Sequence, residues 1–128
     1  MTAKPREMFS LPFSTAECDE GPLLEHRPGH ATLKYDAEGP DGIVWTALEF
    51  SGTVAVRFTP DAACAPWMVE AYTRVCEIED SEWAAELRSA TRDGEGILPA
   101  SAHHFFVYFD HVGCWEVLAD AVRVNDDS

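Results

Sequence analysis

Glutamine is missing from the 128 residues, asparagine occurs once, and only two of the nine basic residues are lysine, while alanine is abundant. That skew is a coding bias of the GC-rich kind and speaks to source, not function. Other absences bear on chemistry. No two of Cys18, Cys64, Cys76 and Cys114 stand as C-x-x-C, which excludes the zinc-ribbon and thioredoxin signatures. In a reducing compartment the four are expected to be free thiols, mostly buried as small hydrophobes. There is no G-x-G-x-x-G, P-loop, H-E-x-x-H or EF-hand loop, so no cofactor is expected. No run approaches the ~20 apolar residues of a membrane span. The opening "MTAKPREMFSLPFST" also lacks the long apolar core of a secretory signal, so the expected location is cytoplasmic.

Positive charge is scarce as well. Nine basic residues against 23 acidic ones give a formal net charge of −14. Such a field repels phosphate backbones and anionic membrane surfaces, which argues against nucleic-acid and membrane partners. It attracts a basic protein and speeds that encounter. A hydrophobic fraction of 46% places the chain among globular proteins, and its length fits one domain able to bury a core without metal or disulfide.

Residues 1–29 are rich in proline and charge and read as an irregular segment; Pro12 argues against a central strand, and "ECDEGPLLEHRPG" reads as a loop. "HATLKYD" at 30–36 alternates, with Ala31, Leu33 and Tyr35 on one side. "IVWTALEFSGTVAVRFTP" carries apolar residues at even positions on both sides of Ser51-Gly52. Two arrangements keep those residues on one face: a hairpin with a three-residue loop at 51–53, or one long strand bent at Gly52. The bent strand is favoured, because glycine lies in the middle of Ser-Gly-Thr and not at the last, left-handed position of such a loop. Trp45 shares its face with Ile43 and Ala47, so that face needs a cover, whether the helix, the N-terminal segment or another chain.

"DAACAPWMVEA" allows a short helical turn, and "YTRVCEIE" reads as a strand with Tyr72, Cys76 and Ile78 on one face. "DSEWAAELRSATRDG" predicts the main helix over about 81–92. Asp80 or Ser81 serves as its cap, Glu82 lies in its first turn, Arg88 and Arg92 lie near its end, and Gly94 and Gly96 stop it. The strands 103–110 and 114–124 form a hairpin through "DHVG". The first is apolar on both faces, which marks a central strand covered on both sides. "NDDS" reads as a frayed tail. The whole predicts an α+β fold, a mostly antiparallel sheet of five or six strands with one main helix on one face.

The densest chemistry is "HHFFVYFDHVGCWEV" at 103–117. A shared metal site is disfavoured: strand parity sends His103 and His104 to opposite faces, and His103 and His111, eight positions apart, are separated by roughly 25 Å in a strand. His26 and His30 flank Pro28, which argues against a helix presenting both. A polar site near the turn, built from His111, Cys114 and Glu116, is the alternative kept, against buried inert thiol as the simpler reading. Ser51 in "EFSGT" is not a nucleophile elbow. Glu77 and Glu79 share a strand face and could share a proton, but with Asp80, Glu82 and Glu86 they also read as a solvated face at a helix start.

"LEFSGTVAVRFTP", "EIEDSEWAAEL" and "HHFFVYFDHVGCWEVLAD" together resemble a group of small uncharacterised bacterial proteins with a pattern like F-x-G-V-x-A-x-R-F, E-D-S-x-W, H-x-x-x-Y-F-D and E-V-x-A. The resemblance covers about residues 30–124. Such small acidic α+β proteins are similar in style to immunity proteins, which neutralise toxins. The resemblance implies a basic partner facing Glu77, Glu79, Glu82, Asp110 and Glu116, and carries over no catalytic residue. Trp45 and Trp67 are further candidate anchors, since tryptophan is enriched at binding hot spots. The leading expectation is therefore a non-enzymatic, acidic interaction domain, monomeric or homodimeric. A small enzyme or ligand-binding domain near the 110–116 turn, and a homodimer burying the Trp45 face, are the alternatives.

Overall fold

The computed structural model describes residues 4–16, 18–89, 91–92, 95–96 and 102–127. In chain order the elements are β1 (Lys4–Ser10), β2 (Leu23–Arg27), β3 (Gly29–Gly39), β4 (Gly42–Thr53), β5 (Ala55–Pro60), a 3₁₀ turn (Asp61–Ala63), α1 (Pro66–Val69), β6 (Arg74–Glu79), α2 (Glu82–Ser89), β7 (Thr91–Arg92), β8 (Glu95–Gly96), β9 (His103–Phe109), β10 (Gly113–Ala119) and β11 (Ala121–Asp127). They form two main antiparallel sheets, one of five strands in the order β1-β6-β9-β10-β5 and one of four in the order β11-β4-β3-β2. Strands dominate and helices are few. No helix among the described residues is long and apolar enough to cross a membrane.

Period-two alternation decides which side chains meet between the sheets. Leu33 and Tyr35 of β3 and Leu48 and Phe50 of β4 pack with Phe105, Val107 and Phe109 of β9 and Val117 and Ala119 of β10. Tyr35 meets Phe109 edge-on at 5.4 Å between ring centres, and its hydroxyl donates to the Phe13 carbonyl at 2.9 Å. A buried tyrosine so placed adds area without an orphaned polar atom. On the other face of the five-stranded sheet, Phe106, Tyr108, Cys76, Ile78 and Cys114 pack with Met68 and Ala71, while Leu118 packs with Ala84 and Ala102. As expected of a central strand, β9 is buried at every position from His104 to Phe109.

The bent strand at 43–59 is present and joins the two sheets. β4 runs through Gly52, where φ is +64°, and after Val54 the chain continues as β5 in the other sheet. β10 and β11 make the same crossing at Asp120. The Val54 amide donates to the Leu118 carbonyl at 2.8 Å, and the Asp120 amide to the Ser51 carbonyl at 2.9 Å. Two long antiparallel strands therefore fold over together, paired on both sides of the corner.

Several expectations are corrected. The single sheet is two sheets, and the strand drawn at 114–124 is two strands. The segment 1–29 is not irregular, since it supplies β1 and β2, the latter inside the supposed loop. The supposed frayed tail belongs to β11 as far as Asp127. The helix ends at Ser89, and Thr91–Arg92 pairs with Glu95–Gly96 as a small ladder. Gly94, proposed as part of its stop, lies outside the described residues.

Candidate functional site

β9 and β10 pair with Phe106 opposite Glu116 and His104 opposite Leu118, joined by a three-residue turn, Asp110 to Val112. His104 and Glu116 thus share the outer face on a diagonal, within reach of long side chains. On the other side of β10, Arg57 of β5 lies directly opposite Glu116. Ser81, between β6 and α2, closes the line.

These four side chains are hydrogen-bonded in series. Arg57 donates from Nε and Nη2 to the two Glu116 carboxylate oxygens at 2.8 and 2.9 Å. His104 Nε2 lies 2.9 Å from Glu116 Oε1, and His104 Nδ1 lies 2.6 Å from Ser81 Oγ. Ser81 Oγ also accepts the Ala84 amide at 3.0 Å and so caps α2. Glu116 has no solvent exposure, and His104 has 4%. Burial pushes the Glu116 carboxyl up, but the hydrogen bonds from His104 and Arg57 outweigh it and hold the group at about 2. An ionised carboxylate only accepts, so Nε2 carries the ring proton, and in the neutral ring Nδ1 is left to accept from the Ser81 hydroxyl. Trp83 packs against both partners of Glu116, edge-on to the His104 ring at 5.1 Å and under the Arg57 guanidinium at 4.2 Å.

A second cluster lies beyond the strand end. Arg6 of β1 and His103 of β9 both bond the Glu77 carboxylate, and Arg6 Nε also reaches Glu79 at 3.3 Å. Burial raises the Glu77 carboxyl, and the hydrogen bonds from Arg6 and His103 lower it further than that. Arg6 therefore bridges Glu77 and Glu79. Strand parity is realised chemically, for His103 and His104 serve different carboxylates.

Both clusters border one groove of about 480 Å³. Its polar lining includes Glu77, Asp80, Ser81, Arg88, His103 and His104. Asp80 turns the chain between β6 and α2 with φ +53°.

The expected partner residues do not form one surface. Glu79 and Glu82 are exposed near the groove, and Glu77 is buried in its wall. Asp110 lies at the far end of β9, beside Tyr108 Oη and His111. Trp45 is half-buried on the outer face of the four-stranded sheet, where it lines a separate groove of about 420 Å³ with Leu23, Glu25, Lys34 and Ala47. Trp67 packs edge-on against Phe106 at 5.2 Å. Glu116 is corrected from partner contact to buried ion-pair member. The alternative site also fails to assemble: His111 is an exposed turn residue with φ +65°, while Cys114 is fully buried and burial pushes its thiol far up. Among the described residues no group of three or more His, Cys, Asp or Glu side chains is arranged to hold a metal ion.

In the sequence His104 stands out only as a metal-ligand candidate and Ser81 only as a cap, and Arg57 carries no role. Hairpin register was the available signal, since a short turn at 110–112 puts His104 and Glu116 on one face. No protein-family model, curated protein or solved structure matches the chain.

Proposed function

We propose that the protein is an acidic protein-interaction domain, of bacterial and cytoplasmic origin and of immunity type, that covers a basic surface on its partner. The observation that carries the reading is the run of exposed carboxylates on Glu79, Asp80, Glu82 and Glu86. In this reading α2 lies on the outer face of the five-stranded sheet and presents Glu82 and Glu86 outward, beside the groove. The net charge of −14 adds long-range attraction toward a basic partner. Trp45 and Asp110, placed elsewhere, are not part of this face.

Capture of partners from the source organism's lysate tests it, using the purified domain and a Glu79→Lys/Glu82→Lys/Glu86→Lys variant at low and high salt. The expected result is a basic protein held at low salt, weakened by salt and lost with the variant, whose thermal midpoint stays near that of the parent. Recovery of no protein in either buffer, or equal recovery by the variant, overturns the reading.

A further inference from the structure

The series Glu116–His104–Ser81 ends at the groove, not in the core. Ser81 and His104 both line that groove, whereas Glu116 lies beneath them, closed from solvent. Nucleophilic catalysis by a hydroxyl needs three things: a base within hydrogen-bond reach, a third group that orients the base, and space for the reacting atom. All three are here. Ser81 Oγ is 2.6 Å from His104 Nδ1, and His104 Nε2 is 2.9 Å from a carboxylate that Arg57 clamps at two points. The base meets the serine through Nδ1 and the carboxylate through Nε2, the reverse of the usual Ser-His-Asp order.

The local backbone fits as well. Ser81 follows a strand and opens a helix, with Asp80 in the left-handed region at the turn. Strand–turn–helix is the presentation used by nucleophile elbows, although Glu79-Asp80-Ser81-Glu82-Trp83 has no flanking glycines. The amide of Glu82, in the first turn of α2, has no carbonyl of its own helix to bond and is the donor next in sequence to Ser81.

We propose that Ser81 is a base-activated nucleophile, with His104 as its general base and Glu116 and Arg57 as positioning residues, acting on neutral or cationic acyl esters that enter the groove. The exposed carboxylates of Glu79 and Asp80 at the rim disfavour anionic esters. In the step, Ser81 Oγ bonds to the carbonyl carbon as its proton passes to His104 Nδ1. Glu116 steadies the resulting imidazolium through Nε2–H. Collapse of the tetrahedral species breaks the bond to the leaving alcohol, which takes the proton from Nδ1. Water then repeats the sequence on the acyl-serine and releases the acid, so ester and water become acid and alcohol. This activity stands apart from partner capture and does not depend on it.

The test uses the whole chain and diisopropyl fluorophosphate, with which Ser81 Oγ would form a bond to phosphorus as fluoride leaves. Intact mass and peptide mapping locate the adduct. The expected result is one adduct, on Ser81, absent from Ser81→Asn, which retains a side-chain acceptor for the helix cap. His104→Gln slows labelling by about 10²–10⁴-fold. Glu116→Gln slows it and moves its pH dependence to lower pH, because the groups facing the ring are Ser81, Trp83 and this carboxylate, with Arg57 behind it. Near-UV circular dichroism confirms that each variant is folded. Should His104→Gln or Glu116→Gln fail to fold, the mapped position of the adduct on the parent chain decides. No adduct on Ser81 in the folded parent, or equally fast labelling of folded His104→Gln, overturns the proposal.

Discussion

Arg57 and Glu116 stand directly opposite each other on β5 and β10 and close a two-point ion pair at 2.8 and 2.9 Å. The pair is lopsided: the carboxylate has no exposure, while the guanidinium side chain is 45% exposed. Arg57 therefore keeps much of its hydration and Glu116 loses all of its own. A buried charge in that position is tolerated only when fully bonded, and His104 supplies the remaining donor.

Removing the arginine should accordingly cost more than an ordinary surface pair. Arg57→Ala is expected to destabilise by about 3 kcal/mol, against under 1 kcal/mol for an exposed pair such as Lys34–Glu25. Urea denaturation of Arg57→Ala, Glu116→Gln and the double variant measures it. The double variant should lose about 1–3 kcal/mol less than the sum of the singles. Simple additivity would show that the pair contributes nothing.

The same carboxyl predicts an acid dependence. Glu116 lies at about 2 in the folded chain against its ordinary 4.5. A lowered carboxyl stabilises the fold fully above its unfolded value and loses that contribution as pH falls through the folded one. The window is therefore from about 4.5 down to about 2, and the gap corresponds to roughly 3 kcal/mol. Glu77 and Asp36 are lowered too and act in the same direction. Urea midpoints measured from pH 6 to pH 2.5 should fall steeply, and less steeply in Glu116→Gln. Parallel curves for the two proteins would exclude Glu116 as a source.

Much of this was readable in advance. Alternation in "HATLKYD" gave the correct inner face, because a half-buried strand writes its orientation into every second residue, and the unbroken apolar run of "HHFFVYF" marked a strand covered on both sides. Parity likewise separated His103 from His104. What alternation does not encode is which sheet an inward face belongs to, so the crossings at Val54 and Asp120 turned an expected single sheet into two. β2 was missed because Leu23 and Glu25 to Arg27 are exposed on an edge strand and carry little hydrophobic signal. Arg57 was missed for a different reason: its partner lies 59 residues away, and only the register of β5 on β10 brings them together.

Two glycines should respond differently to alanine. At Gly113, φ is +144° and an added Cβ would lie 2.1 Å from the Thr59 carbonyl oxygen, a backbone atom of the paired strand. At Gly52, φ is +64° and the nearest atoms are those of the Asp120 side chain, from its oxygen at 2.5 Å to its Cβ at 2.9 Å, and not a backbone atom of a paired strand. Gly113→Ala is expected to cost on the order of 3 kcal/mol and Gly52→Ala about 1–2 kcal/mol. Thermal unfolding of both, side by side, gives the ranking; equal losses would mean that the β10–β5 contact relaxes freely.

Asp36 offers a test of the N-terminal segment. Its carboxylate is 2% exposed and accepts the backbone amides of Asp19, Glu20 and Gly21 at 2.8–3.2 Å. Burial raises this carboxyl, and those amides lower it further, so the ionised form holds the loop between β1 and β2. Asp36→Asn keeps the shape but turns one acceptor into a donor facing donors. The expected loss is about 1–3 kcal/mol. Hydrogen exchange should quicken at the three amides well beyond any change in the β9 amides, since β9 lies in the other sheet. Unchanged protection at Asp19, Glu20 and Gly21 would show that the loop is held by Gly21's close approach to Tyr35, where a Cβ would lie 2.9 Å from the Tyr35 Cα, and not by the carboxylate.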